Sequence, residues 1–216
     1  MKLLKWLLPL ALICLLASWV SHNLRPVKSL YSRAAPGGNR ELSEPKKTDA
    51  RVRLLEKARA ALAYARAHRF NTHTGFLVDM QLPSGQKRFF VYDFDKDTIQ
   101  MSGLVTHGNC FQPWLEGRQY SNTVGSGCTS LGRYKVSSSY TGKWGYSYKL
   151  HGLDSSNNNA FERTVVLHSH SCVPEEETTE EICQSNGCTT VSPGFLDRLK
   201  PLLNSSPRPV LLWIYE

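Results

Sequence analysis

The run Arg163-Thr-Val-Val-Leu-His168 ends an apolar stretch in a histidine, and Ser185-Asn-Gly-Cys188 sets a cysteine directly after a glycine. Between them lies a polar insert flanked by Cys172 and Cys183. A strand closing on a histidine, followed by a loop and a cysteine on flexible backbone, brings a thiol nucleophile to its base. The chemistry this pattern serves is acyl transfer through cysteine.

Each of these residues also has a plainer reading. Cys188 precedes Thr189-Thr-Val191 and a helix start at Pro193. Backbone N–H groups there lower a thiol's pKa and meet a developing oxyanion. The plainer reading is a buried thiol or half of a disulfide. His168 emerges where its strand leaves the core, within loop reach of the thiol as a general base. His170, two residues on, shares its side-chain parity and is its rival. For either, the plainer role is a solvated loop histidine. His168, His170 and two cysteines also allow a zinc reading, but the cysteines lack ligand-pair spacing. Arg163 suits a substrate carboxylate or a structural pair. His151, before Gly152, lines the same rim or simply ends a strand, and Asn157-Asn-Asn159 is turn chemistry.

The elements that must position these groups fit in one domain, since 216 residues leave room for one catalytic-size core and no second. Leu3 to Val20 is almost wholly apolar behind Lys2 and Lys5, which reads as a secretory signal or an uncleaved membrane anchor over residues 1–20. Cys14 follows Ile13, where lipoprotein processing wants a small side chain. The formal net charge of +8 is spread rather than clustered, which favours an anionic surface as partner over nucleic acid.

Six cysteines in an exported chain point to disulfides. Cys172 and Cys183 bracket the acidic run Glu175-Glu-Glu-Thr-Thr-Glu-Glu181, and Cys110 and Cys128 lie in two Gly-rich loops. Among the pairings open to the cysteines beyond Cys14, Cys172–Cys183 and Cys110–Cys128 are expected, leaving Cys188 as the free thiol.

Residues 21–47 are rich in Pro, Gly, Ser and basic residues and read as a flexible linker. Thr48 to Arg69 has apolar Val52, Leu55, Ala58, Leu62 and Ala65 at helical spacing with no Gly or Pro, predicting one long helix. After it come short β-rich runs. Phe89–Phe94 and Thr98–Met101 form a hairpin about the Asp95-Lys-Asp97 turn, with further strands over Gly132–Val136, Tyr146–Leu150, Thr164–His168 and Val210–Tyr215. A short helix is predicted from Pro193 to Leu203 with Ser192 as N-cap. The fold class is therefore mainly β, a sandwich or barrel with an N-terminal helix and a short helix after the cysteine.

From Phe89 to Glu216 the chain resembles the L,D-transpeptidase (YkuD-like) catalytic domain, in the branch called the murein L,D-transpeptidase catalytic domain family. The resemblance rests on Tyr120-Ser-Asn-Thr123, Thr129-Ser-Leu-Gly132, Tyr140-Thr-Gly-Lys-Trp-Gly-Tyr-Ser147, His151-Gly-Leu153, Asn159-Ala-Phe-Glu-Arg163, Val165-Val-Leu-His168 and Ser185-Asn-Gly-Cys188.

It implies a catalytic domain over 48–216 in which Cys188 attacks an L,D peptide bond of a peptidoglycan stem peptide. A thioester acyl-enzyme forms and is passed to an amine. His168 matches the base, with Ser169 after it, while Ser185 and Gly187 frame the nucleophile and the backbone around Gly187 and Cys188 supplies oxyanion contacts. Arg163, His151, Asn186 and His170 are the substrate-binding candidates, and no metal or organic cofactor is implied. Asn186 stands where the broad family carries histidine and the branch often tryptophan, and Ser169 where the branch usually has glycine. The expected partners are peptidoglycan and, through the N-terminal segment, a membrane, in the periplasm or cell envelope. The alternatives are an L,D-carboxypeptidase using the same thiol and a noncatalytic, disulfide-stabilised cell-wall-binding envelope protein.

Overall fold

A computed structural model describes residues 45–216. The expected signal or anchor over 1–20 and residues 21–44 of the expected 21–47 linker lie outside the described residues, while 45–47 are helical. Among the described residues no helix is long and apolar enough to cross a membrane.

Helix α1 (Pro45–Ala67) opens the domain. Its buried stripe is Leu54, Ala58, Ala61 and Ala65, a spacing that keeps one helical face against the sheet. The expected face is thus rotated: Val52 is exposed, and Leu55 and Leu62 are only half-buried. The cause is size, because alanines let the helix approach the sheet closely where larger residues would hold it off.

Eight strands follow: β1 (Thr74–Asp79), β2 (Phe89–Asp93), β3 (Thr98–Gly103), β4 (Gly132–Gly142), β5 (Gly145–Gly152), β6 (Val166–Ser169), β7 (Thr189–Val191) and β8 (Leu211–Tyr215). They form one mixed sheet in the order β3-β2-β1-β8-β4-β5-β6-β7. The β1–β8 and β6–β7 pairs are parallel and the others antiparallel.

The two ends of this sheet meet. Just beyond β3, Val105 pairs antiparallel with Val191 of β7, and the Thr106 N–H donates to the Thr190 carbonyl at 3.0 Å. The mainly β, barrel-like class expected from the short strands is the one formed, with edge groups that would otherwise be unpaired joined to each other.

Period-two alternation separates two cores. Phe76 and Val78 face an inner core with Phe89, Val91 and Leu212, while Leu77 faces outward to join Tyr92, Leu211, Tyr215 and the α1 stripe. Helix α2 (Pro193–Asn204) plugs the inner core with Phe195, Leu196 and Leu199. Ser192 caps it by accepting from the Phe195 N–H at 3.3 Å, with Pro193 in the first turn.

The acidic insert is a strap. Cys172 and Cys183 are bridged, as are Cys110 and Cys128. Glu175 accepts from the Gly194 N–H at the start of α2 at 2.7 Å, an anion on the positive end of a helix. Glu176 pairs with Lys87 at 2.8 Å and Glu177 accepts from the Lys87 N–H at 2.7 Å. The strap therefore spans from the β1–β2 connection to α2.

Candidate functional site

The parallel β6–β7 pair sets the frame, with His168 directly opposite Thr190. Cys188 lies two residues before Thr190, so the two side chains leave β7 and its approach on one face, about 6.6 Å apart along the strand. The turn before Cys188 is built by its neighbours. Gly187 has φ +98°, and an added Cβ would stand 2.6 Å from the Cys128 carbonyl oxygen, so only glycine fits. The Ser185 hydroxyl accepts from the Gly187 N–H at 3.2 Å and donates to the Cys188 carbonyl at 2.8 Å. The Ser185 N–H in turn donates to the His107 carbonyl at 2.9 Å, anchoring the turn to the segment that follows β3.

Cys188 is a free, half-buried thiol. Its Sγ lies 3.9 Å from the Thr164 carbonyl oxygen. Burial pushes its pKa up, while the Val166 N–H and the Arg163 guanidinium pull the other way. Arg163 donates to the Ser121 carbonyl at 2.8 Å, to the Ser130 hydroxyl at 3.1 Å and to the Cys128 carbonyl. Its fork is thus engaged by the loops of the Cys110–Cys128 bridge.

The strand expected from Thr164 begins two residues later, at Val166. Thr164 instead takes φ +54°, a left-handed conformation costly for a β-branched residue, and this turns its carbonyl toward the thiol.

His168 is buried at 5% exposure. Its Nδ1 lies 3.0 Å from the Ser169 carbonyl oxygen and its Nε2 3.0 Å from the Thr190 hydroxyl. A carbonyl only accepts, so Nδ1 carries the hydrogen and Nε2 accepts from Thr190. Burial lowers the imidazole's pKa, the Ser169 bond opposes this, and His170 adds to the lowering. Trp144, from the β4–β5 turn, stacks on the ring with centroids 5.6 Å apart. Burial thus favours the uncharged form of an imidazole of fixed tautomer, and, one strand away, of the thiol.

The sequence model of the L,D-transpeptidase catalytic domain matches residues 46–215. The chain belongs to this family. Among solved structures it is similar to the L,D-transpeptidase of Xylanimonas cellulosilytica, at 16% identity and TM-score 0.38 over 66% of this chain and 60% of that one. It is also similar to an L,D-transpeptidase from Mycobacterium smegmatis, at 10% identity and TM-score 0.40 over 67% and 59%. A third is the helical cell shape determining protein Pgp2 of Campylobacter jejuni, at 13% identity and TM-score 0.42 over 66% and 47%. The chain thus spans about six tenths or less of the length of these structures. No curated protein matches it.

In this L,D-transpeptidase domain the remaining candidates separate by position. His170 accepts from the Cys172 N–H at 3.1 Å and meets Trp144 edge-on, so it braces the start of the strap. His151 lies two residues beyond the Lys149–Val166 pair, toward Thr164, and stacks on exposed Phe161 with centroids 4.6 Å apart. Burial, Lys135 and Lys149 lower its pKa. Asn186 is exposed at the tip of the turn. Ser169 contributes its carbonyl to the site. Asn157 and Asn159 are turn residues whose side chains also hold the Arg133 and Asn122 carbonyls. Among the described residues no three His, Cys, Asp or Glu side chains converge as metal ligands.

Sequence reasoning passed over Thr190, Trp144 and His107. Thr190 was legible from parity alone, two residues from Cys188 in a β-rich run. Trp144 was legible as a large apolar residue in the tight Gly142-Lys-Trp-Gly145 turn. His107 carried no such signal: it is buried, and Arg88 Nη2 lies 3.2 Å from its Nδ1.

Proposed function

We propose that the chain is an exported cysteine L,D-transpeptidase that acts on peptidoglycan stem peptides through a thioester on Cys188. The observation that carries this reading is the free Cys188 thiol one strand from a buried imidazole whose Nδ1–H is fixed by the Ser169 carbonyl. The apolar Leu3–Val20 segment, the two disulfides and the basic balance support export toward a carboxylate-rich wall.

In this mechanism His168 Nε2 takes up a proton as the thiol ionises, and the sulfur attacks the carbonyl of the L,D peptide bond. The Gly187 N–H is occupied by Ser185 Oγ, which leaves the Cys188 N–H as the turn's donor for the oxyanion. Imidazolium returns its proton to the departing amine and the thioester remains. An acceptor amine, deprotonated by His168, then attacks the thioester and frees the thiol. Trp144 over the imidazole excludes water from the base.

The test is intact-protein mass after mixing the full chain with a carbapenem, alongside release of the terminal D-amino acid from a tetrapeptide stem. Wild type is expected to gain one adduct and to release the amino acid, and Cys188→Ala to do neither. A wild-type chain whose free thiol titrates but which gives neither adduct nor release overturns the reading.

A further inference from the structure

The base nitrogen of His168 is already occupied. Its hydrogen bond in the resting site runs to the Thr190 hydroxyl, while the thiol rests against the Thr164 carbonyl. Thr190 and His168 are both buried, at 3% and 5% exposure, and are register partners, so backbone pairing holds this contact. The neutral imidazole can only accept at Nε2 because Ser169 holds the Nδ1 hydrogen. Thr190 is therefore the donor, and its oxygen keeps lone pairs able to accept, two residues from Cys188 along the chain.

Resting on the transpeptidase reading, we propose that the Thr190 hydroxyl carries the proton between Cys188 and His168. The thiol, turned about its Cα–Cβ bond from Thr164 toward Thr190, gives its S–H proton to Oγ1 as the Oγ1–H proton passes to Nε2. One S–H bond breaks and one N–H bond forms. The hydroxyl is regenerated, now accepting from the imidazolium and donating to the thiolate. No oxidant or co-reactant is consumed, and the reverse transfer delivers the proton for the leaving amine.

The charged and titratable groups around this pair are few. Lys143 lies over Trp144, 4.9 Å from its ring, and Lys149 pairs with Val166 on the β5 side. His170 follows β6, meeting Trp144 edge-on. Arg163 stands behind the thiol. From α2, Arg198 and Lys200 lie on Phe195 and Tyr146. None replaces the hydroxyl on Nε2, which has Thr190 alone as its hydrogen-bond partner among the described residues.

The experiment measures Cys188 alkylation by iodoacetamide against pH, and carbapenem acylation, in the full chain as wild type, Thr190→Val, Thr190→Ser and His168→Ala. Thr190→Val keeps the shape and removes the hydroxyl. It is expected to slow acylation about a hundredfold and to show the alkylation profile of His168→Ala. Thr190→Ser, which restores the hydroxyl, is expected to stay within a few-fold of wild type. Far-ultraviolet circular dichroism and thermal unfolding identify any variant that has failed to fold, in which case Thr190→Ser against wild type with solvent isotope effects carries the comparison. A folded Thr190→Val with wild-type rates and profile, while His168→Ala loses both, overturns the relay. Wild type that alkylates but takes no carbapenem would instead count against the transpeptidase reading, and the alkylation profiles would still decide the role of Thr190.

Discussion

Beneath α1, buried charge meets opposite charge; at the β6–β7 edge, buried groups are kept neutral. On the α1 side Asp79, 1% exposed, takes Arg53 Nη2 at 2.9 Å and Nε at 3.2 Å. Arg133 forks onto Asp154 while lying over the Tyr64 ring at 4.2 Å. On the β6–β7 side burial moves thiol and imidazole in the directions that favour their uncharged forms. The first region is built for permanence, since each ion is fixed by its partner. In the second, burial without a fixed counter-ion favours the uncharged form of both groups.

The comparison breaks most sharply at Arg53. Arg53→Met leaves the Asp79 carboxylate buried and unpaired, and is expected to lower unfolding stability by about 3–5 kcal/mol in urea titration. The same variant, assayed well below its midpoint, should acylate Cys188 at the wild-type rate. A stability loss under 1 kcal/mol would mean that the pair contributes no more than a surface bridge.

A smaller effect sharpens the other side. His107 is held near pKa 4 by burial and by the neighbouring Arg88 and Arg118 cations, below its ordinary 6.5. Its folded pKa is depressed, so the unfolded chain binds the extra proton first. Stability is then full above about pH 6.5 and declines as the pH falls toward 4, by up to about 3 kcal/mol for this group. Melting temperature against pH should show this slope in wild type and lose it in His107→Gln. An unchanged slope in the variant would place the acid sensitivity elsewhere.

The smallest expected effect concerns α2, which belongs to neither region. Ser192→Ala removes the cap on the Phe195 N–H and should cost about 1 kcal/mol, read as a lower urea midpoint at constant slope. No loss would show that Glu175 on the Gly194 N–H suffices to cap the helix.

Local chemistry was legible in the sequence wherever it is also local in space. Ser192-Pro193 marks the start of α2, the Asp95-Lys-Asp97 turn joins β2 to β3, and the cysteines flanking the acidic run are bridged. What the sequence hid depends on partners far along the chain. β7 is three residues long and exists as a strand because β6 and the segment after β3 flank it. β1 ends in Asp79, whose burial makes sense only once Arg53 is opposite. The apolar count at Thr164 suggested strand, but the turn closed by Phe161 and Ala160 pulls it into the left-handed region. At the site, Cys188 and His168 stood out by type; parity placed Thr190 beside Cys188, but only the register sets it against the imidazole.

The joining of the sheet's two ends has a kinetic consequence. The Thr106 hydroxyl reaches the Cys188 carbonyl across 82 positions of sequence, and the Ser185 N–H reaches His107 across 78. Contacts of such separation must meet a loop-closure entropy before they are rewarded, which slows folding. The turn that carries Cys188 is therefore held by residues distant in the chain, and its frame is complete only once the two ends of the sheet have joined.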